Sequence, residues 1–256
     1  MRQQWRIQQF RNALAWLAAS ALLLCSFWWS EFNLKALAES GPHFSEFFTR
    51  MIPPNTEVAG PVFRATIETF MIAFAGTFLG VLVAFPLGVL AASNISPWWI
   101  AQPVKLLLGF LRSIPLIVVA ILFVVAVGLG PFPGALAIAF HSIGMLGKFY
   151  AEEFETVEPG IVEAIRGTGA SWAQTIRFGL LPQSIPQVVS FTVYRREMNF
   201  RDATVLGLVG AGGIGYYIQI YVRSFQYDKV ATLLLVILLM VTLLDLLTYR
   251  VRKRMR

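Results

Sequence analysis

Three arginines fall within seven residues, Arg195, Arg196 and Arg201, with Glu197 and Asp202 among them. A guanidinium is a planar fork of donors that suits oxyanions. Such a cluster can attract an anion or pass it along. It can equally pair internally with Glu197 and Asp202, or contact a second protein, and both readings stay open. Arg112 stands near the start of a long apolar run, where a charge is costly and is a functional candidate by default. It is either a helix-end arginine reaching for the interface or half of a structural pair near a pore. His43 and His141 lack metal-ligand spacing, and no metal site is predicted. His141, beside Ser142 in an apolar stretch, reads as a packed hydrogen-bonded residue or as a gate group.

Five glycines, Gly207, Gly210, Gly212, Gly213 and Gly215, stand within nine positions. The run has the outline of a nucleotide loop. It lacks the closing Gly-Lys-Ser/Thr, and no strand precedes it, so nucleotide binding is assigned to another polypeptide. No nucleophile–base pair is evident, so the chain is not read as an enzyme and no cofactor is expected. Cys25, the one cysteine, sits in an apolar run and has no partner for an intrachain disulfide. Asp245, near the end of the last apolar run, faces a helix neighbour or the interface. Glu152, Glu153, Glu155 and Glu158 read as a solvated acidic face that can also touch a partner.

The elements that hold these residues follow from composition. The 256 residues are 57% hydrophobic and 14% charged, with mean hydropathy +0.65. A soluble domain is usually about 25% charged. The apolar excess must face lipid or other subunits. The net charge of +7 sits mainly at the ends and beside apolar runs, which speaks for membrane orientation rather than nucleic-acid binding. Uncharged runs near 20 residues read as helices, because backbone groups in a bilayer need internal partners. Six are expected: 12–30, 69–93, 106–130, 134–147 (longer if Lys148 and Tyr150 extend it at the interface), 183–194 (longer if it runs through Asn199) and 230–249. Residues 203–222 form a seventh candidate, but the glycines argue for a re-entrant or gate-like segment. Arg2, Arg6 and Arg11 before the first run imitate a signal peptide. That run is long for one and no small-residue cleavage site follows, so a retained span is expected.

Basic residues at both ends (Arg2, Arg6 and Arg11; Arg250, Arg252, Lys253, Arg254 and Arg256) place both tails in the cytoplasm, which needs an even number of spans. The loops then alternate. Residues 31–64 are outside, 94–105 inside, 131–133 a tight outer turn, 151–182 inside, and 195–229 outside or re-entrant. The expected organisation is a first helix and outer loop over 1–63, a core over 64–250 and a basic tail over 251–256.

The inside loop carries a second pattern. Pro159-Gly160 is a break signal. Ile161, Ala164, Ile165 and Thr168 then recur at helical spacing, predicting a short helix with one mostly apolar face. Ser171 can cap a second piece through Trp172, Ile176 and Phe178, closed by Leu181-Pro182. Such a helix is too short to stand alone and needs either a partner groove or the membrane surface.

Here the sequence resembles a family. Glu163-Ala164-Ile165, three residues, Gly169, and later Leu181-Pro182 resemble the EAA loop of ABC-importer permeases. That pattern runs Glu-Ala-Ala, three residues, Gly, nine residues, Ile, one residue, Leu-Pro. The chain departs from it at Ile165, in place of the third alanine, and at Gly179, in place of isoleucine. Arg112-Ser113-Ile114-Pro115 and the run 123–132 look like the core of phosphonate-type permeases. So does Glu197-x-Asn199-x-Arg201 followed by the glycine-rich stretch with Gly210, Gly212 and Gly213. The glycine stretch is shared with methionine-type permeases, and the Glu-x-Asn-x-Arg lead-in points to phosphonate or a related reduced-phosphorus anion.

The resemblance implies an all-α membrane protein of the type-I ABC importer permease fold, with about six transmembrane helices and a cytoplasmic coupling helix. It implies a bacterial inner-membrane location, a second permease copy, separate ATPase subunits and a periplasmic substrate-binding protein. Glu163, Ala164 and Gly169 would touch the ATPase. Arg195, Arg196, Glu197, Asn199, Arg201, Gly210, Gly212 and Gly213 would belong to the pathway or gate, with Arg112 and His141 as structural residues of the pore. The cargo would be phosphonate, phosphite or hypophosphite. The same architecture carrying methionine or another small metabolite is the alternative. A secondary transporter would show inverted repeats or membrane acid pairs, and the sequence shows neither.

Overall fold

The computed structural model describes the backbone of residues 2–255 and the side chains of residues 8, 10–246 and 248–250. Arg2, Arg6, Arg252, Lys253, Arg254 and Arg256, on which much of the expected tail orientation rests, lie outside the described side chains. The chain divides into two compact units, Met1–Arg50 and Met51–Arg256.

The first unit contains α1 (Arg2–Trp29), α2 (Leu34–Glu39) and α3 (Gly41–Arg50). Within α1, Phe10–Trp29 is long and apolar enough to cross a bilayer. The Asn33 side chain accepts from the Lys35 and Ala36 amides and caps α2. In α3, Phe44, Phe47 and Phe48 recur at helical spacing, while an Arg50–Glu46 pair at 2.6 Å lies exposed.

The second unit is built on a central pair, α4 (Ala59–Ala91) and α7 (Pro131–Glu155). Small residues let them touch. A Cβ added at Gly80 of α4 would lie 2.7 Å from the Cβ of Ser142 on α7. Lipid offers no hydrophobic drive between helices, so close packing and interhelical hydrogen bonds hold them. Around this pair stand α5 (Trp98–Ser113), α6 (Leu116–Val127), α10 (Leu181–Leu206), α11 (Gly213–Arg223) and α12 (Tyr227–Met255). Two short helices, α8 (Pro159–Gly167) and α9 (Trp172–Thr175), fill the connection after α7.

Among the described residues, four helices are long and apolar enough to span a membrane, and the number reaches six if each of two bent pairs is one span. The expected count of about six is the upper end of that range, with corrections to its boundaries. The third run is not one rod. It breaks at Ser113–Pro115, where α5 and α6 meet at 83°, because Pro115 pushes Ile114 out of helical geometry. The expected outer turn 131–133 opens α7 instead, with proline in its first turn where a missing N–H costs nothing. The chain reverses just before it at Gly128 and Gly130, both at positive φ. The largest correction concerns 195–229. The helix of the fifth run passes Tyr194 and also the longer bound of Asn199, continuing to Leu206, so the arginine cluster is helical.

Candidate functional site

Arg195, Asn199 and Asp202 lie on one face of α10, four and three residues apart. That face meets His141, Ser142 and Met145 of α7, with Thr77 of α4 behind. Arg195 is buried. Its Nη2 is 2.9 Å from His141 Nδ1 and 3.4 Å from Asp202 Oδ2. Its Nη1 is 3.1 Å from Met145 Sδ, and its Nε is 3.4 Å from Ser142 Oγ. Asn199 is fully buried and donates from Nδ2 to Thr77 Oγ1 at 2.8 Å and to Ser142 Oγ at 2.9 Å. Its Oδ1 is buried without a hydrogen-bond partner among the described residues.

This cluster sits deep in the helices. His141 is ten residues from the start of α7, about 15 Å at the α-helical rise. Arg195 is fourteen residues from the start of α10, about 21 Å. Buried charge at such depth requires partners, and Arg195 uses most of its fork on them.

The three arginines therefore do three different things. Arg195 turns inward. Arg201 reaches across to α12, where its Nη2 donates to both carboxylate oxygens of Asp245, at 2.9 and 3.1 Å, while also pairing with Glu197 at 3.2 Å. Arg196 lines a narrow recess with Phe70, Phe74, Glu197, Phe200 and Leu244. Of the expected pairings inside the cluster, Arg195–Asp202 and Arg201–Glu197 form. His141 and Asp245 stood out in the sequence, but their pairing with the arginines did not, because they are 54 and 44 residues away.

The glycine run is a turn and a new helix start. Gly210, Gly212 and Gly213 all have positive φ, between +71° and +90°, which favours residues without a Cβ. The Gly213 amide donates to Glu68 Oε1 at 2.9 Å and the Ile214 amide to Thr69 Oγ1 at 2.8 Å. These α4 side chains satisfy orphan donors at the start of α11. A cleft of about 280 Å³ opens here between Glu68, Leu129, Gly130, the glycines and Tyr216. Sequence reasoning missed Glu68, which stands one residue before the second expected span.

Arg112 lies at the α5–α6 break with its guanidinium 5.9 Å over the Phe149 ring of α7. Among the described residues it has no carboxylate within ion-pair distance.

On the other side of the molecule, α8 starts at Pro159 as expected. The face it buries differs from the expected one. Val162 is buried against the cluster containing Tyr150, Phe154 and Leu180, whereas Ala164 and Thr168 are exposed. Arg166 ties the helix to the α4–α5 connection, donating to the Asn94 and Ile95 carbonyls at 3.2 and 3.3 Å. Glu163, Ala164 and Gly169 are exposed, and Gly169 has φ +83°. Ser171 caps α9 in a reciprocal capping box with Gln174. Leu181-Pro182 does not close the piece: a π-helical turn, Ile176–Leu180, carries it straight into α10. A Cβ on Gly179 would lie 2.9 Å from Ile165 Cδ1. The two departures from the loop pattern thus exchange bulk across one contact.

A family model described as the binding-protein-dependent transport system inner membrane component matches residues 84–256. The phosphite transport system permease protein PtxC of Stutzerimonas stutzeri is 41% identical over 216 residues, 84% of this chain and 78% of that protein. The phosphate-import permease protein PhnE of Mycolicibacterium smegmatis is 37% identical over 213 residues, 81% of this chain and 40% of that longer protein. Among solved structures, the inward-facing MetNI methionine ABC transporter aligns with a TM-score of 0.70 at 22% identity, over 79% of this chain and 99% of that one.

Proposed function

We propose, because the chain belongs to the binding-protein-dependent transport system inner membrane components, that it is the permease subunit of an ATP-driven importer for a small phosphorus oxyanion. Phosphonate and phosphite are the favoured cargo, in keeping with relatives named for phosphite and phosphate transport. Two copies surround the pathway, each engaging one ATPase subunit, and a periplasmic binding protein delivers the substrate. Both termini lie in the cytoplasm, which puts α8 on the ATPase side.

The observation that carries this reading is the construction of α8. It is anchored from behind by Val162 and Arg166, and it presents Glu163, Ala164 and Gly169 outward. A nine-residue helix is marginal alone. Anchored in this way, it can transmit a push from an ATPase groove to α7 through Tyr150 and Phe154, and to α4 through Asn94. The test is reconstitution with the ATPase and binding protein in liposomes. ATP hydrolysis stimulated by loaded binding protein, with uptake of phosphite or methylphosphonate, supports the reading. Uptake of methionine instead would keep the architecture and change the cargo. Transport without ATP would overturn it.

A further inference from the structure

Helices α5 and α7 run antiparallel, with Lys105 beside Glu155, Leu108 beside Gly147, and Arg112 beside Gly144. Each carries two cationic or imidazole side chains seven residues apart, Lys105 and Arg112 on α5, His141 and Lys148 on α7. The antiparallel pairing sorts them into two tiers. The Arg112 backbone lies against Gly144, one turn from His141, in the middle of α7. Lys105 and Lys148 line one cleft of about 190 Å³ towards the Glu155 end, together with Glu152 and Glu155. That cleft has room for about six waters at about 30 Å³ each.

Each tier has one committed and one uncommitted cation. In the middle tier Arg195 is occupied by His141 and Asp202, while Arg112 lies over the Phe149 ring and among the described residues has no carboxylate within ion-pair distance. In the inner tier Lys105 is held by Glu155 at 2.6 Å and by Ser93 at 2.8 Å. Lys148 makes only an exposed 3.8 Å pair with Glu152, of a kind worth little. The two tiers are about 10 Å apart, seven residues of helical rise. An uncommitted arginine at mid-depth does not face acyl chains. Conduction needs several weak sites rather than one tight one.

We propose that the α5–α7 seam is the exit track for the transported anion. Arg112 receives the phosphorus oxyanion at mid-depth, and Lys148 draws it into the inner cleft by displacing Glu152. This rests on the anion-import reading above.

The test uses the full complex of permease, ATPase and binding protein in liposomes, with labelled phosphite as probe and Cys25→Ser as background. Lys148→Cys is expected to lower uptake at least fivefold. An aminoethyl methanethiosulfonate reagent, which returns a positive charge, should restore at least half of it, and the sulfonate analogue should restore none. Arg112→Gln should lower uptake about tenfold and Arg112→Lys should keep most of it. Co-purification with the ATPase subunit should persist in all of them, which shows that the variants fold and assemble. Wild-type uptake in Lys148→Cys or Arg112→Gln, or equal rescue by both reagents, would overturn the track. A wild-type complex that takes up neither phosphite, methylphosphonate nor phosphate would instead overturn the import reading beneath it.

Discussion

At the residue scale, an arginine found in a transporter is easily assigned to substrate. Here Arg195 is a keystone between α7 and α10. Removing one partner of a buried charge pair costs roughly 3–5 kcal/mol, and the partial exposure of Asp202 (30%) puts this pair at the low end. Arg195→Met should therefore lower the detergent-solubilised melting temperature substantially, with Asp202→Asn much milder. Equal melting of Arg195→Met and wild type would mean that the cluster contributes nothing. The burial of Arg195 was not legible in the sequence. Four charges in seven residues look like a loop, because pairing across α7 and α12 is invisible along the chain. Arg112 was legible as a cation in an apolar setting, but its lack of a carboxylate partner needed the structure.

At the element scale, local signals read correctly where the partner is near in sequence. Pro159 opening α8 and Ser171 capping α9 were both visible, since caps and proline act within one turn. The buried face of α8 was not visible, because Val162 is chosen by Tyr150, Phe154 and Leu180 from other elements. A separate contact, Ile165 Cδ1 against Gly179, explains both departures from the loop pattern. Gly179→Ile should impair coupled ATP hydrolysis several-fold by crowding Ile165, since overpacking costs typically about 1–3 kcal/mol. Adding Ile165→Ala should recover most of the loss. A double variant no better than the single one would show that the exchange is not compensatory. Gly169→Trp, at φ +83° on the exposed side, should leave insertion intact and uncouple hydrolysis. Normal stimulated turnover in that variant would remove the loop from the ATPase contact.

At the scale of the whole molecule, the count of about six is reached when each bent pair is one crossing, since among the described residues four helices are continuous candidate spans. Counting charges and apolar runs is insensitive to whether a crossing is straight. It fails for bends because those depend on single residues such as Pro115. An even count predicts both ends on one side. A green fluorescent protein fused after Arg256 should fluoresce, and alkaline phosphatase fused there should be inactive. The reverse pattern would invert the assignment of α8 to the ATPase side.

The π-helical turn at Ile176–Leu180 has a consequence for length. Such a turn holds one residue more than an α-turn closed by i→i+4 bonds. The faces of α10 are therefore phased by one surplus residue, and loss of that residue would rotate everything beyond it by about 100°. Arg195, Asn199 and Asp202 would then leave α7, although no side chain had been replaced. Across descendants of this chain, single-residue insertions and deletions should accumulate in the exposed connection after α3 and be absent between Thr175 and Leu181.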